Sequence, residues 1–550
     1  MPTSPPQQDP QQSVAEHGRR GASFVSAAVG VMLLLAVGKV FGFGEKLVLA
    51  HFAGATSSVD AYFTAGKIAF FFFVIVDDVL VPVFLSRYIH LREQYGSASA
   101  WRLFRQVFAA TLVVLALVVL VLTAMPNLIV DWLAPGFNAQ QRALTLQMLP
   151  WVLPAGLLLG LAALTYVMLN AHQRFAWPQF ANVANKAVLV VGVALLLPTI
   201  GIVGAAVALC AGAACQLLLH LHGIRRCLHA DSAGAPEVRR APGQLGAMLR
   251  LMAPLAIGTL AAQASGFVDV NRGSTLAPGS IAALDYARKL VDLPILLVPN
   301  VLAIVAFPRL AELAARKQTE KMVSLTARLL EFCLILFLPM TVFLTLASEP
   351  VVAAIFSRGE FDQQAVTVTS RVLVFFALGL GAFAIEIPLL RMYYATLDMI
   401  TPIVVGLVLV AVNVALTIAL IPVLGIIAIP LALSTQKVLK VIVLFGIIAR
   451  RYTGPWRRQL AARTWRILIC VAAFAAVFAT LRCAIRVADP ETPLLQLVEL
   501  LATGLVAGVI YGGALVMTGV VERGRLRRIG RLVLERVSRG QSGASGHGSG

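Results

Sequence analysis

The chain has 550 residues, 59% of them hydrophobic and only 13% Asp, Glu, Lys or Arg, with a mean hydropathy of +0.85. A soluble domain carries about 25% charged residues, so a water-soluble enzyme, a disordered chain and a nucleic-acid-binding protein are excluded, despite a formal net charge of +19. The composition is that of an all-α polytopic membrane protein whose excess Lys and Arg cluster between apolar runs and meet anionic membrane lipid.

Residues 1–21 are polar, include Pro5 and Pro6, end on Arg19-Arg20 and read as a disordered cytoplasmic N-terminus. The next run, 22–44, is too long for a signal-peptide core and lacks a small-x-small cleavage site, so it is expected to be an uncleaved first span. A helical span needs about 20 apolar residues. About fourteen fit, near 22–44, 59–86, 104–125, 144–169, 176–198, 202–222, 248–270, 281–306, 324–347, 367–391, 400–421, 426–449, 464–484 and 494–519. Even-numbered connections hold the basic clusters, among them Arg87, Arg92, Arg102 and Arg105, then Arg225, Arg226, Arg239 and Arg240, then Arg309, Arg316, Lys317 and Lys321. That alternation predicts both termini in the cytoplasm. Beyond the last span, 520–550 read as a tail, basic and amphipathic to about Val537 and disordered from Ser542. The six cysteines have neither zinc-ligand nor redox spacing and are read as small apolar-facing residues.

The sequence resembles itself at an offset of about 223 residues. Lys67, Leu85 and Arg87 fall opposite Lys289, Phe307 and Arg309. Phe137-Asn138-Ala139-Gln140 falls opposite Phe361-Asp362-Gln363-Gln364, and Pro198 to Ile202 opposite Pro422 to Ile426. A repeat of six spans gives two halves of one orientation, related by an axis along the membrane normal, as in transporters. The expected organisation is a six-helix lobe at 22–222, a cytoplasmic linker at 223–247, a second six-helix lobe at 248–449 and two extra helices at 450–519.

An ionisable residue within a span costs roughly 2.5–3.5 kcal/mol on an insertion scale, so each asks for a reason. Lys67 and Lys289 occupy equivalent repeat positions and, brought to a shared cleft, would make a site for phosphate oxygens. The structural alternative pairs Lys289 with Asp292 and Lys67 with Asp60 or a helix end. Asp77-Asp78 could bind a coupling cation or proton, or could lie at the cytoplasmic end of the second span and do neither. Glu386, beside Pro388, could sit in a broken helix. Lys39, Lys186, Asp269, Arg272, Lys437 and Lys440 complete the intramembrane charges. With no catalytic set, metal cluster or phosphate loop in the pattern, neither an enzyme nor a cofactor is expected.

The run Gly279-Ser280-Ile281-Ala282-Ala283-Leu284-Asp285-Tyr286-Ala287-Arg288-Lys289-Leu290-Val291-Asp292-Leu293-Pro294 resembles a segment of the MurJ/MviN-type lipid II flippases, GSVSALNYAxRLxxLP. Phe307-Pro308-Arg309-Leu310, Ala134-Pro135-Gly136-Phe137, Arg358-Gly359-Glu360-Phe361 and Tyr394 to Pro402 are similar to further landmarks of that family, in the same order, from about residue 30 to 520. The resemblance implies the fold of the multidrug/oligosaccharidyl-lipid/polysaccharide exporter superfamily. It also implies movement of an undecaprenyl-pyrophosphate-linked saccharide, lipid II or a related glycan, from the inner to the outer leaflet of a bacterial cytoplasmic membrane. A basic cleft would hold the pyrophosphate and a groove the lipid tail, with cell-envelope glycan-assembly proteins as partners. Lys39 falls on the Arg of the family's S-R-x-x-G, Asp60-Ala61-Tyr62 on its D-A-F, and Lys289 on its Arg in the eighth helix. With the intramembrane charges above, the expected substrate-binding set is Lys39, Asp60, Lys67, Lys289 and Asp292, with Asp77, Asp78 and Glu386 as candidates for ion coupling.

The departures are specific. Where the family has Arg followed by an acid, this chain has Glu45-Lys46, and an Arg expected before the fourth helix is Pro150. Lys replaces Arg where charge survives, which loses the bidentate fork. Competing readings are a cation-coupled small-molecule exporter of the same superfamily and a transport-inactive scaffold in a glycan-assembly complex.

Overall fold

The computed structural model describes residues 10–232, 244–485 and 493–521, and these hold helices and no strand. In hydrocarbon every backbone N–H and C=O must be met within the segment, which the α-helix does unaided. In chain order the helices are α1 (Pro10–Ala53), α2 (Ser57–Ile75), α3 (Val81–Tyr95), α4 (Ser97–Ala124), α5 (Pro126–Leu133), α6 (Ala139–Ala171), α7 (Ala176–Ile200), α8 (Val203–Ser232), α9 (Gln244–Gly273) and α10 (Ser280–Leu297). There follow α11 (Pro299–Ala315), α12 (Thr319–Leu346), α13 (Ser348–Phe356), α14 (Gln363–Leu378), α15 (Leu380–Ala395), α16 (Ile400–Leu424), α17 (Ala428–Arg451), α18 (Trp456–Ile485) and α19 (Pro493–Met517). The basic tail from residue 522 and residues 233–243 of the interlobe linker lie outside the described residues, whereas α8 and α9 take up the rest of the linker and α1 already starts at Pro10.

Among the described residues, twelve segments are long and apolar enough to cross a membrane, against the fourteen spans expected. One of the twelve, Ile400–Arg451, holds both α16 and α17, divided by a 3-10 turn at Gly425–Ile427. Several expected spans are broken rather than straight. Between α2 and α3 the chain widens into a π turn at Val76–Leu80, where the Val81 N–H reaches back to the Val76 carbonyl. Pro82 follows, unable to donate to the Asp78 carbonyl, so the regular ladder is interrupted at that point. Two short helices, α5 and α13, have no counterpart in the sequence reading.

The internal repeat reappears in backbone geometry. Left-handed residues recur at matching places: Gly54 (φ 62°) and Gly279 (φ 88°), Gln173 (φ 57°) and Leu397 (φ 60°), Gly201 (φ 65°) and Gly425 (φ 56°). The N-termini match too, since Asn138 Oδ1 accepts from the Gln141 N–H at 2.8 Å and Asp362 Oδ1 from the Ala365 N–H at 2.7 Å.

The chain divides into two compact units. The first comprises 1–289, 356–369 and 410–429, and the second 290–355, 370–409 and 430–550. In the first, α6 is the buried centre, with Met148, Val152, Leu153, Leu164 and Met168 sealed from solvent. Gly156 and Gly160, four apart, let α2 lie directly on it: a Cβ at Gly156 would come within 2.6 Å of the Phe72 ring and 2.9 Å of the Ala69 Cα. Loops crowd one end of this unit. A Cβ at Gly279 would stand 2.1 Å from the Ala55 carbonyl, and one at Gly136 2.4 Å from the Ser274 carbonyl. The Glu360 N–H donates to the His51 carbonyl at 2.9 Å. The second unit is built on Leu310, Met322, Leu330, Leu389, Tyr393 and Leu444, with the Tyr393 hydroxyl donating to the Leu444 carbonyl at 2.7 Å.

Gly279 joins a left-handed φ to a contact with no room for a methyl group. Gly279→Ala should cost about 1–3 kcal/mol in strain alone and more through displacement of the Ala55 carbonyl. Thermal unfolding in detergent should show a clearly lowered midpoint, whereas Gly246→Ala, in open space, should leave it unmoved.

Candidate functional site

The site begins with a carboxylate. Asp60, in the first turn of α2, is 2% exposed. Its Oδ2 accepts from the Gly279 N–H at 2.6 Å and its Oδ1 from the Ala282 N–H at 2.7 Å; Gln141 Nε2 lies 3.5 Å from Oδ2. These are orphan donors at the start of α10, where the helix dipole also favours an anion. The Tyr286 hydroxyl donates to the Gly54 carbonyl at 3.0 Å, and its ring packs against Phe63, Phe356 and Phe361. Asp60 thus fixes the position and rotation of α10. Both of its oxygens are engaged by backbone amides.

With α10 fixed, Asp285, Arg288 and Lys289 fall three and four residues apart on one helical face. Asp285 Oδ2 meets Lys46 Nζ at 2.9 Å, and Glu45 Oε1 lies 3.7 Å from the same ammonium. Lys46 is 7% exposed, and its ammonium also stands 4.0 Å from the centre of the Phe63 ring. The Tyr62 hydroxyl donates to Glu45 Oε1 at 3.2 Å. Lys67, on α2, extends to α9, where its Nζ lies 3.3 Å from where a Gly266 Cβ would stand. Asp269, Asp285, Arg288 and Lys289 are all within electrostatic range of it. Asp269 Oδ1 is buried and without a hydrogen-bond partner among the described residues. From α7, Lys186 is within range of Glu45, Lys289, Lys46 and Lys39. Six bases (Lys39, Lys46, Lys67, Lys186, Arg288, Lys289) therefore share the neighbourhood with four acids (Glu45, Asp60, Asp269, Asp285), an excess of positive charge suited to an anion.

Lys289 is within electrostatic range of Lys67, and Lys39 of Lys186. Asp292 falls in the second unit. Asp77 and Asp78 sit on the π turn, half-buried and exposed respectively. Glu386, 6% exposed in α15, is held at 2.7 Å by Lys437 and at 2.7 Å by Lys440 of α17, so both its oxygens are already occupied by ammonium groups. Sequence reasoning passed over Lys46, Asp285 and Tyr62 as site members. The signal was there: an acid and a base within apolar runs more than two hundred residues apart, each too costly to leave unmatched. In the second unit an apolar cavity of about 310 Å³ is lined by Pro339, Met340, Phe343, Phe474, Leu501 and Leu505.

The family model described as Lipid II flippase MurJ matches residues 49–488. The chain belongs to the MurJ lipid II flippase family. A probable lipid II flippase MurJ of Rhizobium tropici is 30% identical over 455 residues, 80% of this chain and 83% of the relative. The lipid II flippase MurJ of Burkholderia cenocepacia is 23% identical over 421 residues, 75% of this chain and 81% of the relative. A solved MurJ in an inward closed conformation superposes with a TM-score of 0.75 at 20% identity, covering 89% of this chain and 99% of that one. An inward-facing multidrug resistance MATE transporter gives 0.62 at 13% identity, covering 78% and 98%. These likenesses establish the exporter fold, and MurJ membership makes the chain a multi-pass protein of the bacterial inner membrane and a transporter by family. Against the MurJ pattern, the reversed Glu45-Lys46 order acquires a reason: Lys46 meets Asp285, while Glu45 takes the Tyr62 hydroxyl.

Breaking the Lys46–Asp285 pair should be costly. A fully buried pair loses about 3–5 kcal/mol when one partner goes; with the Asp285 side chain 35% exposed, about 2 kcal/mol is expected. Lys46→Met should lower the amount of folded protein in the membrane, and the exchange Lys46→Asp with Asp285→Lys should restore much of it. Equal loss in the exchange variant would show that the pair is not what matters.

Proposed function

We propose that the chain translocates lipid II from the inner to the outer leaflet by alternating access, with the pyrophosphate seated on the basic cluster of α1, α2, α7 and α10. The observation that carries this reading is the excess of bases around Lys67 and Lys289, which are within electrostatic range of one another, in a chain of the MurJ family. Each ammonium offers three N–H donors to ionised phosphate oxygens. Lys rather than Arg makes the grip a set of point charges, which holds a pyrophosphate without fixing its rotation. An exporter of organic cations would need the opposite balance of charge, so the excess of bases favours the anion.

The same reading gives Asp60 a conformational role. Its bonds to the Gly279 and Ala282 amides hold the loop-rich end of the first unit shut, and opening that end requires their release. The termini are placed in the cytoplasm, following the basic connections. Asp77 and Asp78, on a widened turn and without a described partner, are retained for ion coupling, whereas Glu386 is matched by two lysines.

The test is complementation of cells depleted of their own lipid II flippase, together with outward transfer of labelled lipid II. Wild type should rescue growth. Lys67→Gln with Lys289→Gln should abolish rescue at normal membrane abundance, and Lys67→Arg with Lys289→Arg should keep most of it. Full transfer by the double Gln variant would overturn the anion-site reading; failure of the wild type to transfer lipid II would overturn the substrate.

A further inference from the structure

We infer that Lys186 is a third phosphate-contacting cation and sets the preference of this site for a diphosphate over a monophosphate, an inference that rests on the lipid-linked pyrophosphate reading above. Lys186 lies in the middle of α7. Val183 and Val190, three before and four after it, pack on α1: Cβ atoms at Gly38 and Gly44 would stand 3.7 Å and 3.8 Å from them. Helical periodicity therefore places Lys186 on the α7 face that looks onto α1. Its charged surroundings are Glu45, Lys289, Lys46 and Lys39.

Three of those four are cations, and the fourth is already engaged, since Glu45 accepts from Tyr62 and lies 3.7 Å from Lys46. Lys46 in turn is held by Asp285. No hydrogen bond or ion pair joins Lys186 to any described residue. A lysine within a span, facing other lysines and lacking an acid of its own, is an arrangement that an incoming anion relieves. Lys289 is the shared member, within range of Lys67 on one side and of Lys186 on the other. An anion with ionised oxygens on two adjacent phosphorus atoms can meet all three, whereas a monophosphate has a single phosphorus to place among them.

The motif positions of the family do not contain Lys186, and it stands out only as an unmatched charge in α7. It also replaces charge that the Glu45-Lys46 reversal removes, because Lys46 is committed to Asp285 and is not available to a ligand.

The experiment uses the full-length protein in lipid nanodiscs, with undecaprenyl pyrophosphate and undecaprenyl phosphate as probes, and compares wild type with Lys186→Gln and Lys186→Arg. Wild type should prefer the pyrophosphate. Lys186→Gln should weaken pyrophosphate binding about tenfold or more and monophosphate binding far less, collapsing the preference. Lys186→Arg should stay within about threefold of wild type. An unchanged preference in Lys186→Gln would overturn the inference. So would an equal loss for both lipids with a lowered unfolding temperature, which marks a structural role. Wild type that does not distinguish the two lipids would overturn it as well. Outward transfer of lipid II by the same preparation would in that case leave the flippase reading standing.

Discussion

A carboxylate set among apolar helices must find donors, and Asp60 finds them in the backbone at the start of α10. Everything in the charged cluster follows from that contact. It fixes the rotation of α10, and with it the direction taken by Asp285, Arg288 and Lys289. Gly279 has no side chain because the contact leaves no room beside the Ala55 carbonyl. Tyr286, fully buried, closes the same joint through Gly54. Remove the carboxylate and α10 loses both its N-terminal partner and its register against α2.

The cluster then obeys a simple rule of charge. Acids match some of the bases and leave others in excess. Lys46 is neutralised by Asp285 and Glu45, and Asp269 lies close to Lys67 and Arg288. What remains is positive, distributed over α2, α7 and α10, with lysine at five of the six basic positions and Arg288 at the sixth. Such a site grips mainly through the charge and hydrogen bonds of its lysines. It suits a ligand whose anionic centre must be held in one conformation and surrendered in another. The Glu386 triad in the second unit is the contrasting case, since one acid meets two bases at 2.7 Å each and both of its oxygens are occupied.

Much of this was legible in the sequence, for reasons that can be stated. Apolar runs longer than a bilayer is thick announce spans, and the repeat offset predicted equivalences that recur in the left-handed turns at Gln173 and Leu397. Lys67 and Lys289 were found because a charge in hydrocarbon is conspicuous. The structural duty of Asp60 was not legible: a sequence records the acid but not which amides it caps, and its place in a D-A-F-like motif suggested a ligand contact. The Lys46–Asp285 pair was hidden by distance along the chain, its partners lying 239 positions apart by number. The short helices α5 and α13 escaped because each is too brief to span and too apolar to read as a loop. The π turn at Val76–Leu80 was invisible for a different reason, as a single extra residue in a helical ladder leaves the apolar pattern intact.

The central claim is that the pyrophosphate of lipid II rests on this cluster, and site-specific photo-crosslinking in cells tests it most directly. A crosslinking amino acid at Gly66, beside Lys67, and at Gly42, facing open space on α1, is compared with one at Leu120, 66% exposed on α4. Strong lipid II adducts are expected at residues 66 and 42, lost when Lys67 and Lys289 are both changed to Gln, with only background at 120. Adducts at 66 and 42 no stronger than at 120, or unaffected by loss of the two lysines, would contradict it.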